Sequence, residues 1–518
     1  MSDEPLLTWK GRRVRAPGEG IDAATRKVPA APRPGSLFFV PSPLEGWGLD
    51  VLLQRLSDDS VVILLEVDPE LRRFCDGRFR SHLGPQREDP RLLWLETDSE
   101  AAVSSLFEKL PLDGLRRCEF LTLGGSWLAH SARYRQVFQR LDDGLTRWWA
   151  NRMTFLHLGP LWVRNLFDNL KAREFSPRPW PTWDEKPIFV CGAGVTLESA
   201  VLFLKESRHR WHLLAVDTAL PVLHEAGLVP DGVVCVESQH ANLRDFSGWK
   251  GASVPLFADL TAHPSSTRVF SQLPYWFVSE FAPLALWRRW PWDSAFIPRL
   301  PPLGSVGVVA AWVAWRLTRG PVVLAGLDFS YPPGKTHARG APALTSLLAG
   351  TDRLHPMEQV GTWDRPGLRS VRRGWLTTPV LESYAGLLAE RAAAEAHRTW
   401  VWQNLGLPLG LPPWQGSFPP PSPPSNRPEE AEAPASVQAA TWLRKERVLW
   451  SEILSDFQAL NESSDPSVWA RLQARLREAD YLTFSFPDPH PRLATDWLVR
   501  VLTQVRWISE RMGGTPAA

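Results

Sequence analysis

The chain holds a set of residues whose types and order could bind an anionic ligand and move a proton beside it. Gly192 and Gly194 stand in GAGVTLES, directly after the apolar run from 188 to 191, with Thr196 close behind. Glycines at such a place let backbone N–H groups approach an anion, and a helix starting behind them adds its positive end. The same glycines also suit a plain strand-to-helix turn, and Leu197 takes the place of a third glycine in the G-x-G-x-x-G fingerprint. Four acids, Asp217, Glu237, Asp259 and Asp328, each follow an apolar run. Acids at strand ends can contact a ribose or a base, and they serve equally as turn formers or helix caps. Thr218 adds a hydroxyl beside the first of them. Gly304 and Ser305 precede an apolar helical stretch and offer a second group of N–H donors. His337 lies in the polar loop FSYPPGKTHARG with Lys335 and Arg339. An imidazole changes charge near neutral pH, so it can serve as an acid or meet a leaving group.

The order of apolar runs, glycine turns and helical patterns around these residues predicts a parallel sheet. From 187 to 220 the chain reads strand, glycine turn, helix, strand, a βαβ unit. Thr196 is the expected helix cap, with Ser199 as the alternative. Further strands are expected near 232–236, 254–258, 276–279 and 322–325, so a central α/β domain extends over 181–415. Residues 341–375 read as a variable polar loop, and a helix follows from about 380. Upstream, apolar runs at 36–42 and 61–66 alternate with helical patterns and define a smaller α/β domain over 35–130. Its Glu66, at a strand end, could meet a ribose or belong to a structural or partner-docking domain. The first 34 residues read as a flexible arm, 131–180 as a helical connector and 416–435 as a proline-rich linker. A C-terminal module at 436–518 shows three helical patterns, near 437–460, 466–479 and 493–512.

Composition bounds the function classes. A length of 518 residues fits about three domains. A net charge of +2 gives no argument for bulk nucleic-acid binding. No run approaches the roughly 18 apolar residues of a membrane helix, and the N-terminus has no signal-peptide core. The four cysteines form no C-x-x-C pair, so free thiols in a reducing cytoplasm are expected.

The motifs resemble those of the motility-accessory-factor family of bacterial flagellin glycosyltransferases, whose core is similar to the archaeal 6-hydroxymethylpterin diphosphokinase. The family's Gly-x-Gly-Pro-Ser-Leu is matched by Gly192-Ala193-Gly194-Val195-Thr196-Leu197, with Val for Pro and Thr for Ser. Its small-residue turn before Ala-Leu is matched by Asp217-Thr218-Ala219-Leu220. Gly227-Leu228-Val229-Pro230-Asp231 and the strand ending at Glu237 match its next block, where Glu replaces the usual Asp. Leu303-Gly304-Ser305-Val306 matches its helix start. Gly326-Leu327-Asp328-Phe329-Ser330-Tyr331, then Gly334-Lys335-Thr336-His337-Ala338-Arg339-Gly340, match its last and most specific block.

The resemblance implies a Rossmann-like, sialyltransferase-like central domain. It also implies transfer of a nonulosonic acid, pseudaminic or legionaminic in type, from a CMP-sugar to Ser or Thr hydroxyls of flagellin. Gly192, Gly194 and Thr196 would then hold the nucleotide phosphate, with Gly304 and Ser305 as further donors. Asp217, Thr218 and Glu237 would line the donor pocket. Asp328 would be the base, and His337 the acid or leaving-group contact. Mg is a possible companion ion; the metal requirement stays open. Two other classes use the same residues: a diphosphokinase moving pyrophosphate from ATP–Mg to a pterin alcohol, and a non-catalytic flagellin-binding scaffold.

Overall fold

The computed structural model describes residues 8–9, 12–13, 20–172, 175–183, 185–292, 295–359, 362, 367–418, 435–462 and 465–513. Most of the expected arm before residue 20 and nearly all of the expected linker at 416–435 lie outside the described residues. The chain forms two compact units, Met1–Leu156 and His157–Ala518.

The first unit is built on four parallel strands: β1 (Ser36–Pro41), β2 (Val61–Leu65), β3 (Leu92–Trp94) and β4 (Arg117–Phe120), in the order β3-β2-β1-β4. Every residue of β1 and β2 is buried. Both faces of the sheet are covered, which is why these strands read as unbroken apolar runs. Phe38, Val40, Val62 and Leu64 pack on one face with Leu49, Leu52 and Leu53. Leu37, Phe39, Val61 and Ile63 pack on the other with Tyr134, Val137 and Leu141. Glu66 is buried and already occupied. It accepts hydrogen bonds from the Ser42 hydroxyl at 2.6 Å, the Tyr134 hydroxyl at 3.0 Å and the Asp68 N–H at 3.0 Å. A carboxylate so engaged ties the loop after β1 to the helix carrying Tyr134, and the ribose-binding reading of Glu66 is set aside on that ground.

The second unit holds eight parallel strands: β5 (Ile188–Cys191), β6 (His212–Val216), β7 (Gly232–Cys235), β8 (Leu256–Asp259), β9 (Tyr275–Ser279), β10 (Arg299–Leu300), β11 (Val322–Ala325) and β12 (Thr399–Val401). Their order is β10-β9-β8-β7-β6-β5-β11-β12. The chain builds outward from β5 through β10, then returns to the far side of β5 with β11. The sheet therefore has a topological switch point between β5 and β11, the place where ligands sit in such folds. Helix Val306–Leu317 is buried at nine of its twelve positions, consistent with its apolar sequence on every face.

The helix Ser131–Lys171 gives its residues from His157 onward to this unit. Asn165 donates to the Ser238 and Thr261 carbonyls, and Asn169 to those of Leu260 and Ala262, each at 2.9–3.0 Å. These two side chains, one turn apart, pin the chain just beyond β7 and β8. Phe167 packs against Trp442, Trp450 and Tyr481 of the C-terminal helices Ala435–Glu462 and Pro466–Glu478 and the turn that follows them. A last helix runs Thr495–Arg511. The segment expected to be a polar loop, 341–375, contains a helix, Pro342–Ala349, and half of a small hairpin pairing Arg369–Ser370 with Leu376–Thr377. Proline at the first helical position and the buried Leu344 account for the helix. Among the described residues no helix is long and apolar enough to cross a membrane. All four cysteines are free thiols.

Candidate active site

Cys191 and Ala325 are level in the register of β5 and β11, so the loops leaving these strands lie side by side. They interlock. Gly192 N–H donates to Ala325 O and Gly194 N–H to Gly326 O, both at 2.8 Å. A Cβ on Gly192 would overlap the Gly326 carbonyl, and one on Gly194 would stand 2.5 Å from an Asp328 carboxylate oxygen. Gly326 itself has φ +66, a left-handed conformation that disfavours any side chain, and its Cβ would strike Gly192.

Asp328 completes the lock. Its Oδ1 accepts from the Thr196 hydroxyl at 2.5 Å and its Oδ2 from the Thr196 N–H at 2.9 Å. The Thr196 Oγ1 in turn accepts from Gly326 N–H at 3.0 Å. Leu407 N–H donates to the Asp328 carbonyl at 2.9 Å. Asp328 is buried, and that burial pushes its carboxyl up to about 6 against the opposing pull of its Thr196 hydrogen bonds.

These contacts revise the reading of the glycine turn. The N–H groups of Gly192, Gly194 and Thr196 serve the neighbouring loop, while Leu197 N–H bonds to Gly194 O and Glu198 N–H to Val195 O. The glycines are needed for close approach of two backbones, not for a phosphate cradle. Thr196 stands at the helix-cap position, yet its hydroxyl is spent on Asp328 and makes no cap bond.

A cavity of about 650 Å³ opens at this switch point. Such a volume suits a nucleotide-sized ligand. Gly192, Gly194, Thr218, Ser305, Asp328 and His337 all line it. So do Val306 and Gly307, the first turn of helix Val306–Leu317, and Val380 and Leu381, the first turn of helix Pro379–Ala392. The first N–H groups of a helix have no acceptor within it, and its dipole is positive there. Two such ends therefore face one cavity. Among the described residues lining it, none is Lys or Arg. The favourable field for an anion comes from the backbone dipoles of these helix ends; the His337 Nδ1 lies 3.1 Å from the Thr336 hydroxyl.

Four expected pocket residues, Thr196, Asp217, Glu237 and Gly304, stand off the cavity wall. Asp217 is buried behind Thr218 and accepts its N–H at 2.8 Å and its hydroxyl at 3.1 Å. Burial first, and then the charges of Asp245 and Glu237, push Asp217 up to about 7. Glu237 accepts from the Gln239 N–H at 3.0 Å and is not among the lining residues. Gly304, φ +69, has its Cα against the Tyr384 ring, where a Cβ would collide. It shapes the entry to the helix, and Ser305 caps that helix by accepting from Gly307 N–H. Asp259 braces β8 to β9 by accepting from Thr261 and Ser279. The lone lining carboxylate, Asp328, has both oxygens occupied, so the described residues do not fit a direct Mg cage at the cavity.

Sequence reasoning passed over Thr378 and the helix start behind it. Thr378 lines the cavity and caps helix Pro379–Ala392 by accepting from Leu381 N–H at 3.3 Å. Its signature, a threonine followed by proline at the first helical position, was present in the sequence.

Residues 161–334, which hold β5 through β11 and the interlocked loops, match the family described as 6-hydroxymethylpterin diphosphokinase MptE-like. The chain as a whole is similar in fold to a solved MAf glycosyltransferase from Magnetospirillum magneticum AMB-1, with a TM-score of 0.55 and 14% identity over 98% of this chain and 84% of that one. The resemblance drawn from the motifs, a motility-accessory-factor fold around an MptE-like core, is borne out. Two uncharacterized proteins of Treponema pallidum (strain Nichols) are also similar. One is 29% identical over 360 residues, 68% of this chain and 62% of the relative. The other is 33% identical over 86 residues, 16% of this chain and 41% of the relative. The chain thus matches less than two thirds of the length of either relative.

Proposed function

We propose that this chain is a glycosyltransferase that moves a nonulosonic acid, pseudaminic or legionaminic in type, from its CMP donor to Ser or Thr hydroxyls of flagellin in the bacterial cytoplasm. The observation that carries this reading is the convergence of two helix N-termini on a nucleotide-sized cavity at the switch point of the sheet. The likeness in fold to a MAf glycosyltransferase supports it.

In the reaction the acceptor hydroxyl oxygen forms a bond to the anomeric carbon, the bond from that carbon to the phosphate oxygen breaks, and CMP leaves. The hydroxyl proton must go to a base, and charge grows on the leaving phosphate. The first turns at Val306 and Val380 would bear that charge, since dipoles already aligned need no reorganisation as it develops. His337, in the wall, is the candidate for proton transfer or for contact with the leaving phosphate. Asp328, held by Thr196, would act mainly by keeping the two loops locked. Thr218, oriented by Asp217, would offer its hydroxyl to the donor.

The test is direct. The purified chain, incubated with a CMP-nonulosonate and unmodified flagellin, should add the mass of one or more sugar residues to flagellin and release CMP in equal amount. Unchanged flagellin mass across both sugar types would remove the proposal. The match of 161–334 to an MptE-like diphosphokinase favours a second reading, pyrophosphate transfer from ATP–Mg to a pterin alcohol. AMP release on adding a hydroxymethylpterin would establish it.

A further inference from the structure

His337 sits in a strap, residues 334–340, that begins and ends on glycines in the left-handed region, Gly334 at φ +77 and Gly340 at φ +89. The strap is fastened at three points to the glycine turn and to the helix that follows it. Ala338 N–H donates to Ala193 O at 2.9 Å. Arg339 N–H donates to Glu198 Oε1 at 2.7 Å. Lys335 Nζ donates to Glu198 Oε2, also at 2.7 Å. Glu198 lies in the first turn of helix Leu197–Ser207, immediately after the interlocked loops.

One carboxylate therefore grips the strap two residues before and two residues after His337. Glu198 is not a lining residue of the cavity, whereas Thr336 and His337 are. A contact of this kind, partly exposed, adds little to global stability. Its geometric effect is larger, because it fixes a short segment on both flanks of the imidazole. A catalytic group displaced by about 1 Å can lose on the order of 100-fold in rate.

We propose that Glu198 is a positioning residue for the transfer reaction: its two oxygens clamp the strap across Lys335 and Arg339 and so set where His337 stands in the cavity. The proposal rests on the transferase reading given above. It assigns the residue a role in turnover, with no part in holding the donor.

The experiment compares full-length wild type with Glu198→Ala, Glu198→Gln and Lys335→Met. Hydrogen exchange followed by mass spectrometry reads the 334–340 peptide, and steady-state transfer separates kcat from the KM for the CMP-sugar. Glu198→Ala is expected to speed exchange in the strap and to lower kcat about 10- to 100-fold, with the donor KM within about twofold of wild type. Glu198→Gln keeps an acceptor for Arg339 N–H and should recover part of the loss. Lys335→Met should fall between them, and joined to Glu198→Gln it should cost less than the sum of the two. Unchanged exchange in Glu198→Ala, or unchanged kcat despite faster exchange, would overturn the clamp. A rise in donor KM with kcat intact would also overturn it. A wild-type protein without transfer would overturn the reaction reading and this role in it. That outcome is distinguishable, because exchange reports the clamp whether or not turnover occurs.

Discussion

Replacing Asp328 with Asn should change the way the protein's stability depends on pH. Burial raises the Asp328 carboxyl from an ordinary 3.8 to about 6 in the folded protein. A difference of roughly two units corresponds to about 3 kcal/mol. Because the folded value is the higher one, the contribution favours the fold fully below about 3.8 and is lost as pH rises through about 6. Asn carries no such proton. It keeps one acceptor for the Thr196 N–H and loses the other, a cost of about 1–3 kcal/mol at every pH. The stability difference between Asp328→Asn and wild type should therefore move in the variant's favour by up to about 3 kcal/mol between pH 4 and pH 7.5. Paired urea denaturations in steps of half a pH unit would measure it, since groups common to both proteins cancel in the difference. A flat difference across that range would show that Asp328 does not titrate as a buried brace, and the account of the interlocked loops would fall with it.

Gly326→Ala should destabilise the second unit by several kcal/mol, because it combines a left-handed φ with overlap on Gly192; a loss in melting temperature smaller than that of an ordinary surface change would contradict the packing. Tyr134→Phe removes a donor from the buried Glu66 and should cost about 1–3 kcal/mol. Its effect belongs to the first unit, so CMP affinity should stay at the wild-type value in calorimetry, and a drop would restore Glu66 as a ligand residue. Thr378→Val deletes a helix cap at the cavity wall and should lose about 1 kcal/mol of stability together with a few-fold of CMP affinity; stability loss alone would place that helix end outside the donor site.

The architecture was legible because parallel strands buried on both faces leave continuous apolar runs, as at 36–41, 61–65 and 188–191. The three C-terminal helices showed equally well through their period and through Pro466. The loop at 341–375 hid the helix Pro342–Ala349, since eight residues give too short a periodic signal. In the site, the grouping of Gly192, Gly194, Ser305 and Asp328 around one cavity followed from their positions after strands and before helices, while His337 was marked by its match to the family's last block. What each does was harder to see. Two glycines after a strand look alike whether they admit a phosphate or another backbone, and only the register of β5 with β11 shows that Gly326 fills the space. Likewise an acid at a strand end gives no sign of its partner. Asp328 meets a threonine 132 positions earlier in the chain, and Asp217 turns away from the cavity toward its own neighbour.

The central claim is that the helix ends at Val306 and Val380 receive the phosphate of a cytidine nucleotide. Isothermal titration of CMP into wild type and into Val306→Asp tests it most directly, with ATP–Mg titrated in parallel. An aspartate at that first turn is compatible with the helix dipole but places a negative charge on the cavity wall. The account predicts saturable CMP binding to wild type, at least tenfold weaker binding to the variant, and weaker binding of ATP–Mg than of CMP. Equal CMP affinity in both proteins, or binding of ATP–Mg with none of CMP, would contradict it.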